Sequence, residues 1–251
     1  MAGVLTVGYF VLRGAKFPRG NLLKILAIRS FLLVLIGNST VHWAEQYISS
    51  GIAAIIAAIV PLWMVMDTML LFKTYQIKQR AIIGLVLGFL GIIVIFYEHL
   101  AEFADPNYIW GIIVMIIASL SWALGSVYSS MKHIDFNPVY AAGVQMLFAG
   151  VASIFISIGI GEDVNVLEIP VEGVLSILYL VVFGSLVAYN AYLYALTKLT
   201  HTQVSIYAYI NPIVAVLLGW FFLDEKLTWI IGAGMTVTLA GVYFVNTSGT
   251  K

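Results

Sequence analysis

The residues able to do chemistry in this sequence are amides, hydroxyls and aromatic rings set inside apolar stretches. Tyr207 and Asn211 stand four apart in "SIYAYINPIVAVLLGWFF", so they share one helix face, which Gln203 extends. The preceding apolar stretch carries Ser185, Tyr189 and Asn190. An earlier one carries Trp122, Gly125, Ser126 and Tyr128, with Trp122 and Ser126 again on one face. Asn38 and Gln145 stand in two further stretches. Such groups hydrogen-bond and stack on an uncharged or zwitterionic organic molecule, and no compact acid–base cluster stands with them. Some of the tyrosines have a plainer reading as belts at a membrane surface. Tyr189, Tyr207 and Asn211 lie deeper in their stretches, where a polar group needs a partner or water, and are expected to line a cavity.

Signatures of catalysis are missing from the sequence. His42, His99, His133 and His201 are dispersed, and no HExxH or glycine-rich phosphate loop occurs. With no cysteine there are no thiolate ligands, nucleophiles or disulfides. No enzyme activity, cofactor or metal is expected. Two carboxylates inside apolar stretches, Glu45 and Asp67, are candidates for ion coupling. Both stand near the ends of their stretch, where simple contact with the interface is the competing reading.

The elements that position these groups follow from composition. The chain has 251 residues, of which 62% are hydrophobic and 10% charged. A soluble domain carries roughly 25% charged residues, so this composition indicates an all-α polytopic membrane protein. A spanning helix needs about 20 apolar residues. Eight stretches qualify, at 24–41, 46–72, 80–98, 108–131, 138–159, 173–196, 203–223 and 228–246. Residues 1–12 are apolar but cover only about 18 Å as a helix. Basic residues follow rather than precede them, which is the wrong order for a signal peptide. They read as the second half of a span that begins before this chain.

Placing the loops on alternate sides collects Arg13, Lys16, Arg19, Lys24, Arg29, Lys73, Lys78, Arg80, Lys132, Lys198 and Lys251 on one side. Only Lys226 falls on the other side, among Glu98, Glu102, Asp105, Glu162, Asp163, Glu168, Glu172, Asp224 and Glu225. The positive-inside rule makes the first side, and the C-terminus, cytoplasmic. Net charge is zero, so no nucleic-acid partner is expected.

The chain also repeats itself. A shift of 151 places Pro61 on Pro212, and a shift of 150 places Gly84, Gly88 and Gly91 on Gly234, Thr238 and Gly241. Stripes of small residues allow close helix packing in lipid. The shift crosses five spans, so the copies are expected to be inverted, a pattern that secondary transporters use to build a site at mid-membrane. Each proline removes one backbone donor and frees a carbonyl four residues earlier, on Ala57 and Ala208. Both prolines are expected to act as hinges or gates, a structural kink being the alternative.

"SLSWALGSVYSSM", "GNSTVHWAEQYISSGIAAIIAAIVPLW" and "FGSLVAYNAYLYAL…SIYAYINPIVAVLLGWFFLDEKLT" resemble the EamA-type transporters of the drug/metabolite transporter superfamily, over nearly the whole chain. The matching positions are Asn38, Glu45, Ser50, Gly51, Pro61, Trp122, Gly125, Ser126, Tyr128, Gly184, Ser185, Asn190, Tyr207, Tyr209, Asn211 and Pro212. Asp224–Glu225 stands where the family often has Gly–Glu, and Asp67 departs from its pattern. The resemblance implies two inverted repeats of a ten-helix fold, with the first helix and part of the second missing here. Residues 1–98 would be the incomplete first repeat, 99–107 an external linker, 108–246 the second repeat and 247–251 a cytoplasmic tail. It further implies a secondary transporter in a bacterial inner membrane that exports small organic metabolites, amino acids or amphipathic compounds by alternating access. The alternative is a non-transporting scaffold or an inactive fragment of such a carrier. The expected partners are a small organic solute and the lipid bilayer, with a homodimer as one arrangement.

Overall fold

Apolar runs of this length satisfy their backbone polar groups internally only as helices or closed barrels, and here they form helices. The computed structural model describes residues 1–71, 77–132, 134–162, 169–222 and 224–248. Lys73, Asp163, Glu168 and Lys251 of the charge partition, His133, and the last residues of the expected spans 46–72 and 203–223 lie outside the described residues. Among the described residues there is no strand.

The helices run in order α1 (Ala2–Leu12), α2 (Gly20–Ala44), α3 (Ser50–Ala57), α4 (Val60–Leu71), α5 (Gln79–Ile95), α6 (Ile109–Met131), α7 (Pro138–Gly159), α8 (Val171–Lys198), α9 (His201–Ser205), α10 (Tyr207–Phe222) and α11 (Trp229–Asn246). Among the described residues, seven segments are long and apolar enough to cross a membrane: α2, α3 with α4, the helix ending at Met131, α7, α8, α9 with α10, and α11. The stretch expected at 80–98 folds as α5, which has 17 residues and then bends by 86° into the short helix Tyr97–Ala104. Counting that bent pair as one span gives eight.

The glycine stripes meet each other. A Cβ built on Gly84 would lie 2.7 Å from the Gly241 carbonyl oxygen, and one on Gly241 would lie 2.5 Å from that of Gly84. The same reciprocity joins Gly91 to Gly234, at 2.7 and 2.9 Å. Only a residue without a side chain permits this approach of backbone to backbone. As the numbers rise along α5 they fall along α11, so the two helices are antiparallel. Exchanging Gly84 for Gly234 and Gly91 for Gly241 returns the same contact list, which is the pattern of a self-complementary, two-fold interface.

Two further features recur at the repeat spacing. α2 is π-helical over Ser30–Ser39, and α8 is π-helical over Leu180–Ala188. Such wide turns are rare and cluster at functional sites. α3 begins on Ser49, whose hydroxyl accepts from the Ile52 N–H, and α9 begins on Thr200, whose hydroxyl accepts from the Gln203 N–H.

The two prolines are placed differently. The break between α3 and α4 puts Pro61 at the second position of α4, where an N–H would have no helical partner in any case. The kink expected inside a continuous helix is here a helix start. Pro212 does lie inside its helix, at the sixth position of α10, after a break at Ile206.

Candidate solute cavity

Two large cavities lie between the helices. The first has a volume of about 830 Å³ and lies among α2, α3, α4, α6 and α10. Asn38, Glu45, Ser50, Ala57 and Pro212 are among its lining. The second, of about 740 Å³, lies among α2, α6, α8, α9 and α10, and Ser185, Tyr189, Tyr192 and Gln203 are among its lining. Four residues line both: Asn38, Trp122, Tyr207 and Asn211. They form the waist between the cavities. Ala208, whose carbonyl Pro212 leaves without a helical donor, and Ala57, the last residue of α3, both line the first cavity.

Local structure explains how each waist residue is held. Asn38 stands at the end of the π-helical stretch of α2, and its side chain is exposed within the cavities. Tyr207 opens α10, so the break before it fixes where the ring points, and Asn211 follows one turn later on the same face. Trp122 and Tyr192 pack in a tilted pair with centroids 5.1 Å apart, and Tyr192 meets Tyr207 edge to face at 5.3 Å. The Trp122 indole N–H is buried, close to the Tyr192 and Tyr207 hydroxyls, and makes no well-aligned hydrogen bond among the described residues. It is a donor aimed into an aromatic cluster.

The remaining sequence candidates divide into lining and support. Ser185 and Tyr189 line the second cavity. Gln145 lines neither; it is fully buried on α7 and accepts a 3.0 Å hydrogen bond from the Tyr189 hydroxyl. Ser126 is also fully buried. It donates to the Trp122 carbonyl at 2.6 Å and shares a 2.5 Å hydrogen bond with the Tyr192 hydroxyl, so it acts by holding Tyr192. Gly125 gives α6 its close approach to α2, because a Cβ there would meet Leu32 and Leu33 at 2.9 Å. Asn190 turns back on its own helix and donates to the Leu186 carbonyl at 2.9 Å. Tyr128 belongs to neither lining. Periodicity puts these residues on a face without saying whether the face meets space or another helix.

Glu45 is exposed, lies 3.7 Å from His42 Nδ1 and lines the first cavity. Asp67 is only 5% exposed, and its Oδ2 has no hydrogen-bond partner among the described residues. The sequence reading assigned no role to Tyr192, although it stands three residues from Tyr189 on the same strip of helix. Tyr209, one of the positions that match the family pattern, is buried and donates to the Leu85 carbonyl at 2.8 Å, tying α10 to α5 beside Gly88.

The EamA-like transporter family matches residues 1–97 and 109–247. The chain belongs to the EamA-like transporter family. It is 36% identical over 247 residues to the uncharacterized inner membrane transporter YedA of Escherichia coli K12, covering 97% of this chain and 78% of that one. An uncharacterized transporter of Archaeoglobus fulgidus is 26% identical, with 94% of this chain and 81% of that one covered. A crystal structure superposes with a TM-score of 0.77 at 14% identity, covering 98% of this chain and 85% of its own, a likeness that shows the fold. This EamA-family chain is therefore an α-helical transmembrane protein of a transporter family.

Proposed function

We propose that the chain carries a small organic metabolite, an amino acid or an amphipathic compound, out of the cytoplasm by alternating access. The observation that carries this reading is the waist. Asn38, Trp122, Tyr207 and Asn211 face both large cavities, so a solute held there is in contact with each of them. The groups on offer are two amides, a phenol and an indole, without a fixed charge among the four. That suits a zwitterion or an uncharged polar molecule with an aromatic or aliphatic body.

The inverted-repeat reading has support in the antiparallel, reciprocal seam of α5 and α11 and in the matched π-helical stretches of α2 and α8. Halves so related rock against each other around a shared site. The break before Pro61 and the one before Tyr207 supply places for that motion. Glu45 in the first cavity and the buried Asp67 are the carboxylates through which an ion would couple. By kinship with YedA, the membrane is a bacterial inner membrane, and by charge placement the C-terminus is cytoplasmic.

The test is flux of a panel of labelled amino acids and amphiphiles from proteoliposomes. At least one member is expected to move with saturation, and Asn211→Ala is expected to cut that flux about tenfold, the loss of one hydrogen bond of about 1.4 kcal/mol. Asn211 is exposed to the cavity, so the variant should fold normally. Saturable flux that Asn211→Ala and Tyr207→Phe leave unchanged would place the path elsewhere.

A further inference from the structure

Three helices meet on one side chain that the transport reading does not use. Thr68 stands in the last turn of α4, Ser130 in the last turn of α6, and His201 is the first residue of α9. Charge placement makes this end cytoplasmic. His201 Nδ1 lies 3.3 Å from the Thr68 hydroxyl, and His201 Nε2 is hydrogen-bonded to the Ser130 hydroxyl. Thr68 is only 1% exposed. The two hydroxyls are also held by carbonyls of their own helices, Met64 at 2.6 Å and Val127 at 2.8 Å, so their helices fix where they meet the ring.

An apolar layer separates this bridge from the first cavity. Val60 and Met64 of α4, Val127 of α6, Val204 of α9 and Ala208 of α10 belong to one cluster, each no more than 6% exposed. Val60 and Ala208 also line the first cavity, and Trp122 and Tyr207 of the waist pack on the cluster. The lining goes no further on any of these helices: it stops at Val60 on α4 and Trp122 on α6 and begins at Tyr207 on α10. Side chains packed this closely leave no passage for a solute. The other end of the cavity is different. At the repeat spacing of 151 residues, His201 falls on Ser50 and Thr68 on Gly219. Both of those positions line the first cavity. The pair of positions joined at one end thus borders open space at the other, which is the arrangement expected of inverted copies that exchange roles.

We infer that His201 is the latch of a gate that closes the first cavity at its cytoplasmic end. It clamps the last turns of α4 and α6 to the start of α9, and the apolar layer fills the path behind it. The break at Ile206 lets α9 swing away with His201 while α10 keeps Tyr207 and Asn211 at the waist. Opening therefore parts α9 from α4 and α6 and uncovers Met64. The second cavity runs along α8 past Ala191 to Leu199 and lies outside this gate. The inference rests on the alternating-access reading given above and adds the contact that holds one state shut.

The chain has no cysteine, so a single introduced cysteine reports its own access. Four are used: Met64→Cys in the apolar layer, Ala215→Cys in the first cavity, Ala191→Cys in the second, and Val144→Cys in the separate core of α1, α2 and α7. Each is exposed in membrane vesicles to an impermeant maleimide, added to one face or the other, with no solute present. With the latch intact, Ala215→Cys is expected to label readily from one face and Met64→Cys only slowly. Adding His201→Leu is expected to speed Met64→Cys labelling about tenfold, from the face opposite to that of Ala215→Cys. Thr68→Val and Ser130→Ala each remove one contact of the ring and should speed it about threefold. Ala191→Cys and Val144→Cys should keep their rates. Should His201→Leu fail to fold, the two hydroxyl variants decide. The inference is overturned if Met64→Cys labels alike with and without the latch, or from the same face as Ala215→Cys. It is equally overturned if Ala191→Cys or Val144→Cys speeds up in step, since that is general loosening. Labelling needs no transported solute, so a failed flux assay and a failed latch are told apart.

Discussion

The segments Ser50–Leu71 and His201–Phe222 are equally buried, at 44% of an 18-residue apolar window in each, and start on matching capping residues. Their prolines are 151 residues apart. They differ in what they show the cavity. Where the second has Tyr207 and Asn211, the first has Ile56 and Val60. The helices before them differ in the opposite sense. α2 has 28% of its window buried and lies against α6 and α7 through Gly37, Ser30 and the Ser121–Leu32 hydrogen bond. α8 carries the same π-helical stretch and has none of its window buried. α2 is thus braced by its neighbours and α8 is not, while Tyr207 and Asn211 stand on the better-buried α10.

Substitutions at glycine should break this comparison first if it is wrong. A Cβ on Gly37 of α2 would meet the Leu32 carbonyl at 2.6 Å and Trp122 Cα at 3.1 Å, both backbone. On Gly184 of α8 the nearest neighbour is Leu180 Cδ2 at 3.9 Å. Gly37→Val is therefore expected to destabilise by about 1–3 kcal/mol and Gly184→Val by no more than ~0.5 kcal/mol, read from thermal or denaturant unfolding in detergent. Equal effects would mean that α8 is braced as firmly as α2.

A smaller effect sharpens the point. α8 is tied to α6 by the Ser126–Tyr192 hydrogen bond. Tyr192→Phe and Ser126→Ala should each cost about 1 kcal/mol, and the double variant little more than either alone. Full additivity in that double-mutant cycle would show that the two hydroxyls do not depend on each other.

The smallest effect separates the two capped helix starts. Thr200 and Gln203 cap α9 between themselves. Ser49 is drawn instead into a cluster beyond the end of α5, donating to Glu102 Oε2 at 2.6 Å, while His99 Nδ1 lies 2.5 Å from Glu102 Oε1. The Ser49 hydrogen bond, then His99, hold the Glu102 carboxyl below its ordinary value. A depressed carboxyl stabilises the fold above its unfolded value of about 4.3 and loses that contribution as pH falls through the lower folded value. Wild type should thus lose slightly more thermal stability than Glu102→Gln on acidification below about pH 4.3, while a Gln203→Ala variant should show the wild-type pH slope. An identical slope in Glu102→Gln would remove the cluster from the account.

Much of the helical layout was legible because a span is a matter of length and apolarity, and the spaced glycines marked α5 and α11 for close packing without saying that each packs on the other. Asn38, Trp122, Tyr207 and Asn211 could be picked out because a polar group deep in an apolar run needs a reason. The π-helical stretches could not, since the choice between i–4 and i–5 bonding is made by packing against neighbours. For the same reason the helix break fell before Pro61 rather than at it. Arg29 was counted as one more basic residue at a cytoplasmic end. Its burial depends on carbonyls of Ser129 and Lys132, far away in sequence, which no local pattern reports.

The reciprocal seam between α5 and α11 has a consequence for assembly. A self-complementary surface holds its two faces together whether or not a peptide links them, and a linker only raises the effective concentration of one face at the other. Apart from the Ser49–Glu102 contact, the 97–108 segment thus serves this seam as a tether. Co-expressed halves cut within it would find each other through Gly84, Gly91, Gly234 and Gly241, and each half carries a copy of the surface that its partner recognises.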